Sequence, residues 1–265
     1  MVLSKRVRQI VTQVQETAQC LWEKGWAERN AGNISVNVTA ESGNAGDAAD
    51  ALCCAAELPY PALAGAMFLI TGADTRMREV AKDAETNCCL LRISDDLTGY
   101  HVLWGGKRPG FRPTSELPAH LAVHHFLVRT GAPQRAFVHT HPTHLIALTL
   151  MFAAADESEI NRLLWSVHPE VKIFVPEGVG CVPYEVPRSV ELAEATITAL
   201  QGHRVALWDK HGCGAAGVDA AEAFDLLDIL DKAARIYLTC RAAGYEPHGI
   251  TEAQVEELGR RFPRR

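Results

Sequence analysis

Apolar positions near the start of the chain recur with a helical period: Val7, Ile10 and Val11, Val14, Ala18 and Leu21. Gly25 supplies a stop after them. The pattern then changes to alternation at Ile34-Ser35-Val36-Asn37-Val38, the signature of a strand. Short apolar runs at 67–70, 90–93 and 100–104 predict further strands. The intervening 39–65 stretch is rich in Ala, Gly, Asp and Pro and reads as a surface loop or insertion. Pro113-Thr114-Ser115-Glu116 opens a helix through Leu117, Leu121 and Val128, closing near Gly131, with Thr114 or Ser115 as its N-cap. Beyond it the pattern predicts a strand around Phe137-Val138, a helix over 143–152 and a strand over 172–175. A helix over 189–200 and a last clear strand over 205–208 follow. A long amphipathic helix runs from Asp219 to Gly244, and Thr251-Glu252-Ala253-Gln254 is a capping box for a closing helix.

Strands and helices mix without a repeat or a convincing linker. The expectation is a single α/β domain over residues 1–265, with one central, mostly antiparallel sheet flanked by helices. A chain of 265 residues that is 48% hydrophobic can bury a substantial core. The net charge of −6, without a basic block or stripe, argues against nucleic acid and anionic membrane as partners. No signal peptide and no run of about 18 apolar residues is evident, so the expected location is cytoplasmic. None of the eight cysteines forms Cys-x-x-Cys, which excludes a zinc ribbon and leaves reduced, mostly core thiols.

Against this background His139-Thr140-His141 stands out. Two histidines two apart on a strand point to one face and can reach one metal ion. Alone, the pair also suits hydrogen-bonded strand histidines. His211 changes the balance, because it too follows an apolar strand, Val205-Ala206-Leu207-Trp208. Three neutral nitrogen ligands with a position left open is the pattern of catalytic zinc. The barrel-type hydrolases also carry His-x-His, but near the N-terminus, with many strand–helix units to follow. Glu116 lies at a helix start, where an acid serves the helix dipole without any chemistry. The hydroxyls of Thr114 and Ser115 there also suit an anion. Together with the histidines, these residues suggest proton transfer on a phosphorylated substrate. Asn30-Ala31-Gly32-Asn33 reads either as a polar turn or as an anion cradle.

Several stretches resemble the class II aldolase family, which shares its fold with the adducin head domain. They are 25–33, Tyr100-His101-Val102-Leu103-Trp104-Gly105, Pro113-Thr114-Ser115-Glu116-Leu117-Pro118-Ala119-His120, 139–149, Leu164-Trp165, 174–180, Leu207-Trp208 and His211-Gly212. The second and third point to the rhamnulose-phosphate branch rather than to fuculose-phosphate aldolases or pentulose-phosphate epimerases. The resemblance implies a three-layer sandwich and one zinc per subunit, held by His139, His141 and His211. It implies Glu116 as catalytic acid/base, and Asn30, Asn33, Thr114 and Ser115 as holders of the phosphate or the ketose backbone. Glu170 matches a catalytic glutamate that reaches a neighbouring subunit's active site in a homotetramer. The implied reaction is cleavage of a small ketose phosphate, L-rhamnulose 1-phosphate, to dihydroxyacetone phosphate and L-lactaldehyde. Alternatives are a related aldolase, dehydratase or epimerase acting on another ketose, phosphorylated or free, and a non-catalytic adducin-like module. One departure bears on the substrate. The branch's Thr-Gly-Ser-Gly-Lys-like phosphate loop is here Thr71-Gly72-Ala73-Asp74-Thr75-Arg76, with Arg76 and Arg78 the nearest compensating cations.

Overall fold

In the computed structural model, residues 2–42, 52–56 and 58–263 are described, with the side chains of Leu52 and Cys53 excepted. Of the 39–65 stretch expected as a surface loop, 43–51 and 57 lie outside the described residues, while Leu52–Ala55 form a strand and Leu63 is buried in the core. The chain forms two compact units, Met1–Thr140 with Ala216–Ala223, and His141–Ala215 with Phe224–Arg265.

The first unit opens with α1 (Lys5–Glu23). Its start is fixed by Ser4, whose hydroxyl accepts from the Val7 N–H at 3.1 Å. Val7, Val14, Ala18 and Leu21 are its buried stripe, as the helical period predicts. Six strands follow: β1 (Asn33–Asn37), β2 (Leu52–Ala55), β3 (Met67–Thr71), β4 (Cys88–Ile93), β5 (Gly99–Gly105) and β6 (Ala136–Thr140). Two single-turn helices, α2 (Met77–Val80) and α3 (Ala84–Asn87), separate β3 from β4. The strands pair antiparallel in the order β2-β5-β4-β3-β1-β6. β3 and β6 are buried along their whole length, which is why 67–70 reads as a continuous apolar run rather than an alternation. Phe68, Ile70, Leu91 and Ile93 pack with Leu63 and with Leu121 of α4 (Leu117–Thr130). Gly131 closes α4 in the left-handed conformation, at φ 66°.

The second unit contains α5 (Thr143–Thr149), α6 (Glu157–Val167), α7 (Pro169–Phe174), β7 (Val179–Val182), α8 (Val190–Leu200) and β8 (Val205–Trp208). It also holds most of β9 (Gly212–Gly217) and α9 (Ala220–Ala242), and all of α10 (Glu252–Arg261). β7 and β8 are parallel, and β8 and β9 form an antiparallel hairpin. The last two residues of β9 fall in the first unit, where the Arg135 N–H donates to the Gly217 carbonyl at 2.8 Å. All nine strands belong to one sheet, ordered β2-β5-β4-β3-β1-β6-β9-β8-β7. The fold class is thus α/β with a mostly antiparallel sheet.

Three sequence expectations are corrected. Residues 172–175 are not a strand: 172–174 complete α7, which Pro169 opens at its first position. A four-residue apolar run cannot separate strand from helix by periodicity. β9 follows what was expected to be the last strand. Its sequence, Gly-Cys-Gly-Ala-Ala-Gly, has little β-propensity, and the strand is specified by complete burial instead. The cap of α4 is Glu116, not Thr114 or Ser115.

Candidate active site

His139 is on β6, directly opposite Asn33 at the start of β1. His141 lies just past the end of β6 rather than on the strand, as the first residue of the second unit. His211 is in the β8–β9 hairpin turn, where Lys210 takes φ 57° and the His211 N–H donates to the Trp208 carbonyl at 3.2 Å. The His141 and His211 rings are 5.2 Å apart between centroids, and His211 also lies 5.1 Å from the Trp208 ring. One ring nitrogen from each of His139, His141 and His211 lies within 4.8 Å of the other two. Three neutral imidazoles so grouped suit zinc and similar first-row ions.

Glu116 is the second component. As the N-cap of α4 it makes no side-chain capping bond. Its backbone N–H is instead received by the Thr114 hydroxyl at 3.3 Å. The carboxylate accepts from Asn33 Nδ2 at 3.1 Å, and its Oε2 lies 3.8 Å from His139 Nε2. Only 12% of the Glu116 side chain is exposed. A carboxylate therefore sits beside one of the three histidines while keeping a narrow opening to solvent.

Behind Asn33 lies a polar cluster that sequence reasoning did not single out. Asn33 Oδ1 meets His120 Nε2 at short range. His120 Nδ1 is 2.6 Å from the Ser35 hydroxyl, which is also 2.8 Å from His124 Nε2. His120, His124 and Ser35 are all buried. Burial pushes both histidines down to about 3, so they are neutral at physiological pH.

The other expected site residues divide. Thr114 is buried and held by its N–H to the Thr71 carbonyl at 2.9 Å, whereas Ser115 is exposed. Asn30 is half-buried in the turn before β1. Gly32, in that turn at φ 80°, approaches the His139 carbonyl so closely that a Cβ would lie 3.3 Å from it. Glu170 is exposed in the first turn of α7, where its charge acts on His168. In the 71–76 loop, Asp74 is exposed at φ 57°. Neither expected cation is turned to this loop: Arg76 pairs with Glu79 at 3.2 Å, and Arg78 stacks 4.8 Å over Trp22. Arg108 is there instead, its guanidinium donating to the Ala73 carbonyl and, at 3.4 Å, to that of Asp74. Only its separation of about 35 residues in sequence hid it.

Comparison with known proteins narrows the chemistry. The family model for the class II aldolase and adducin N-terminal domain matches residues 12–238. The chain belongs to that family. A rhamnulose-1-phosphate aldolase from Bacteroides thetaiotaomicron is 42% identical over 256 residues, covering 95% of this chain and 93% of that protein. One from Listeria welshimeri is 35% identical, covering 91% and 86%. A solved sugar-phosphate aldolase from Thermotoga maritima superposes with a TM-score of 0.77 at 36% identity, covering 91% of this chain and 99% of that one. With relatives this similar over nearly their full length, this family member is a lyase of the aldolase type.

Proposed function

We propose that the protein, as one class II aldolase-like domain over 1–265, reversibly cleaves L-rhamnulose 1-phosphate to dihydroxyacetone phosphate and L-lactaldehyde. The observation that carries the reading is the Glu116 carboxylate 3.8 Å from His139, in a chain 42% identical to a rhamnulose-1-phosphate aldolase. His139, His141 and His211 would hold zinc, one ion per subunit. Bound there, zinc supplies Lewis-acid stabilisation of the negative charge that develops on the ketone fragment. In cleavage the C4 hydroxyl loses its proton as the aldehyde carbonyl forms. The C3–C4 electron pair stays with the ketone fragment, and Glu116 delivers a proton to C3. In condensation Glu116 removes that proton.

Asn30, Asn33, Thr114 and Ser115 would bind the phosphate or the ketose backbone. Asn33 can do so with its second amide N–H while the first engages Glu116. Glu170, exposed on α7, would serve a neighbouring subunit's site in a homotetramer, handling the aldehyde-side proton. No described helix is long and apolar enough to cross a membrane, which agrees with a cytoplasmic enzyme. One observation favours a second reading: Ala73 and the exposed Asp74 in the phosphate loop suit an unphosphorylated ketose better than the usual serine does. A coupled assay with L-rhamnulose 1-phosphate, L-fuculose 1-phosphate and free L-rhamnulose, with and without chelator, separates the two. The proposal expects chelator-sensitive cleavage with preference for the first; equal rates on free and phosphorylated ketose would overturn it.

A further inference from the structure

Two periodicities meet in the first unit. Along α4, Glu116, His120 and His124 recur every four residues, a rise of about 6 Å per step. Along β1, Asn33 and Ser35 recur every two residues, a rise of about 6.7 Å. The near-equal steps let the helix stripe and the strand face interlock: Glu116 with Asn33, His120 with Asn33 and Ser35, and His124 with Ser35. We infer that Ser35, His120 and His124 form a one-directional hydrogen-bond chain that locks the Asn33 amide as a donor to Glu116, making them positioning residues for that carboxylate. The inference rests on the reading of Glu116 as the acid/base.

The direction follows from donor and acceptor rules. Asn33 turns Nδ2 toward Glu116 and Oδ1 toward His120, so it donates to the carboxylate and accepts from the ring. His120 Nε2 must then carry the ring's proton. A neutral ring has only one, so His120 Nδ1 accepts from the Ser35 hydroxyl. That hydroxyl has spent its single proton and must accept from His124 Nε2–H. Each step leaves one permitted arrangement, running from His124 through Ser35, His120 and Asn33 to Glu116. Turning the Asn33 amide over would set N–H against N–H at His120 and oxygen against oxygen at Glu116. Relieving that clash at His120 requires reversing both histidine tautomers and the Ser35 hydroxyl together. The chain thus keeps the Glu116 carboxylate aimed. It is buried, so water does not readily stand in for a lost link.

The first test needs no substrate. Nitrogen-15 NMR of histidine-labelled protein at pH 7 is expected to find His120 and His124 both neutral with the proton on Nε2. An Nδ1–H tautomer or an imidazolium at either ring overturns the chain. The second is kinetic. His120→Gln offers an amide N–H where Nε2–H stands and is expected to keep kcat within about fivefold. His120→Leu offers none and is expected to lose about 10²-fold in kcat with KM within about threefold. Equal losses in the two variants, or no loss in His120→Leu, would mean the histidine only fills space. Should His120→Leu not fold, Ser35→Ala cuts the chain with a smaller change. It is expected to mix the His120 tautomers and lower kcat; an unmixed tautomer overturns the chain. If the wild-type protein cleaves no ketose phosphate, the reading of Glu116 fails while the tautomer result still decides the chain.

Discussion

Each unit contains a largely buried carboxylate arranged with histidine, and the two are built oppositely. In the second unit, Asp231 of α9 takes His144 directly: Oδ2 accepts from His144 Nδ1 at 2.8 Å. Its Oδ1 accepts from the backbone N–H groups of His144 and Leu145 at 3.0 and 3.2 Å. This carboxylate is fully occupied in fastening the start of α5, where the N-cap is Pro142 and supplies no capping side chain. In the first unit, Glu116 lies 3.8 Å from His139 and reaches His120 and His124 only through an amide. Asn33 is interposed, one carboxylate oxygen receives a single N–H, and 12% of the side chain stays open. Direct pairing makes a structural staple. Pairing at one remove aims a carboxylate while leaving lone pairs for a reaction.

The largest expected contrast is kinetic. Glu116→Gln removes the proposed proton carrier and is expected to lower kcat by about 10²–10⁴-fold while metal content is retained. Steady-state rates with metal analysis of the same sample check this, and near-normal turnover would sink the assignment. Asp231→Ala should do the reverse. It is expected to cost about 3 kcal/mol of stability, since it deletes a buried acceptor of three hydrogen bonds, two of them from helix-start N–H groups. Denaturant unfolding measures it; a change below about 0.5 kcal/mol would show that α5 holds without the staple.

The pH dependence of folding sharpens the comparison further. His120 and His124 are held at about 3, against an ordinary value of 6.5. Above pH 6.5 both are neutral whether folded or unfolded and contribute nothing. Below it the unfolded chain takes up protons that the folded chain refuses. Stability is therefore lost as pH falls from about 6.5 toward 3, by up to about 1.4 kcal/mol per pH unit for each histidine. Unfolding midpoints at pH 7, 6 and 5 should fall progressively, and His124→Leu should flatten that slope. A midpoint independent of pH over this window would mean the histidines are not held neutral.

What was legible in the chain follows from where its information is stored. The histidine trio could be read because His139 and His141 are two apart in sequence and His211 repeats their strand-end setting. β3 and β4 could be read because burial on both faces leaves continuous apolar runs. Glu116 was legible as a residue but not as a cap: only the structure shows that its carboxylate bypasses the helix N–H groups. The spacing Glu-x-x-x-His-x-x-x-His on α4 and Asn-x-Ser on β1 is equally plain in the sequence. Its meaning lies in how the two elements lie together across more than 80 residues, which no local pattern encodes. β9 and α7 were misread for the opposite reason: tertiary burial and one proline overrode weak local propensity.

The smallest effect concerns the phosphate end. Arg108 is a cation fastened to the altered loop, bound to the Ala73 and Asp74 carbonyls with its guanidinium 5.7 Å from the Phe111 ring. If the loop receives a phosphate, that charge offsets Asp74. Arg108→Met keeps the aliphatic stem and removes the charge. KM for a phosphorylated ketose should then rise a few-fold, on the order of 1 kcal/mol for a half-buried, solvent-screened charge, with kcat nearly unchanged. Added salt should raise KM of the wild type toward that of the variant, because screening acts on the same interaction. A free ketose provides the control, since its KM should not respond to the substitution. If KM for both substrates rises together, Arg108 acts by holding the loop's shape through the two carbonyls rather than by meeting phosphate. The cation would then belong with Asp231, as a fastening, and not with Glu116.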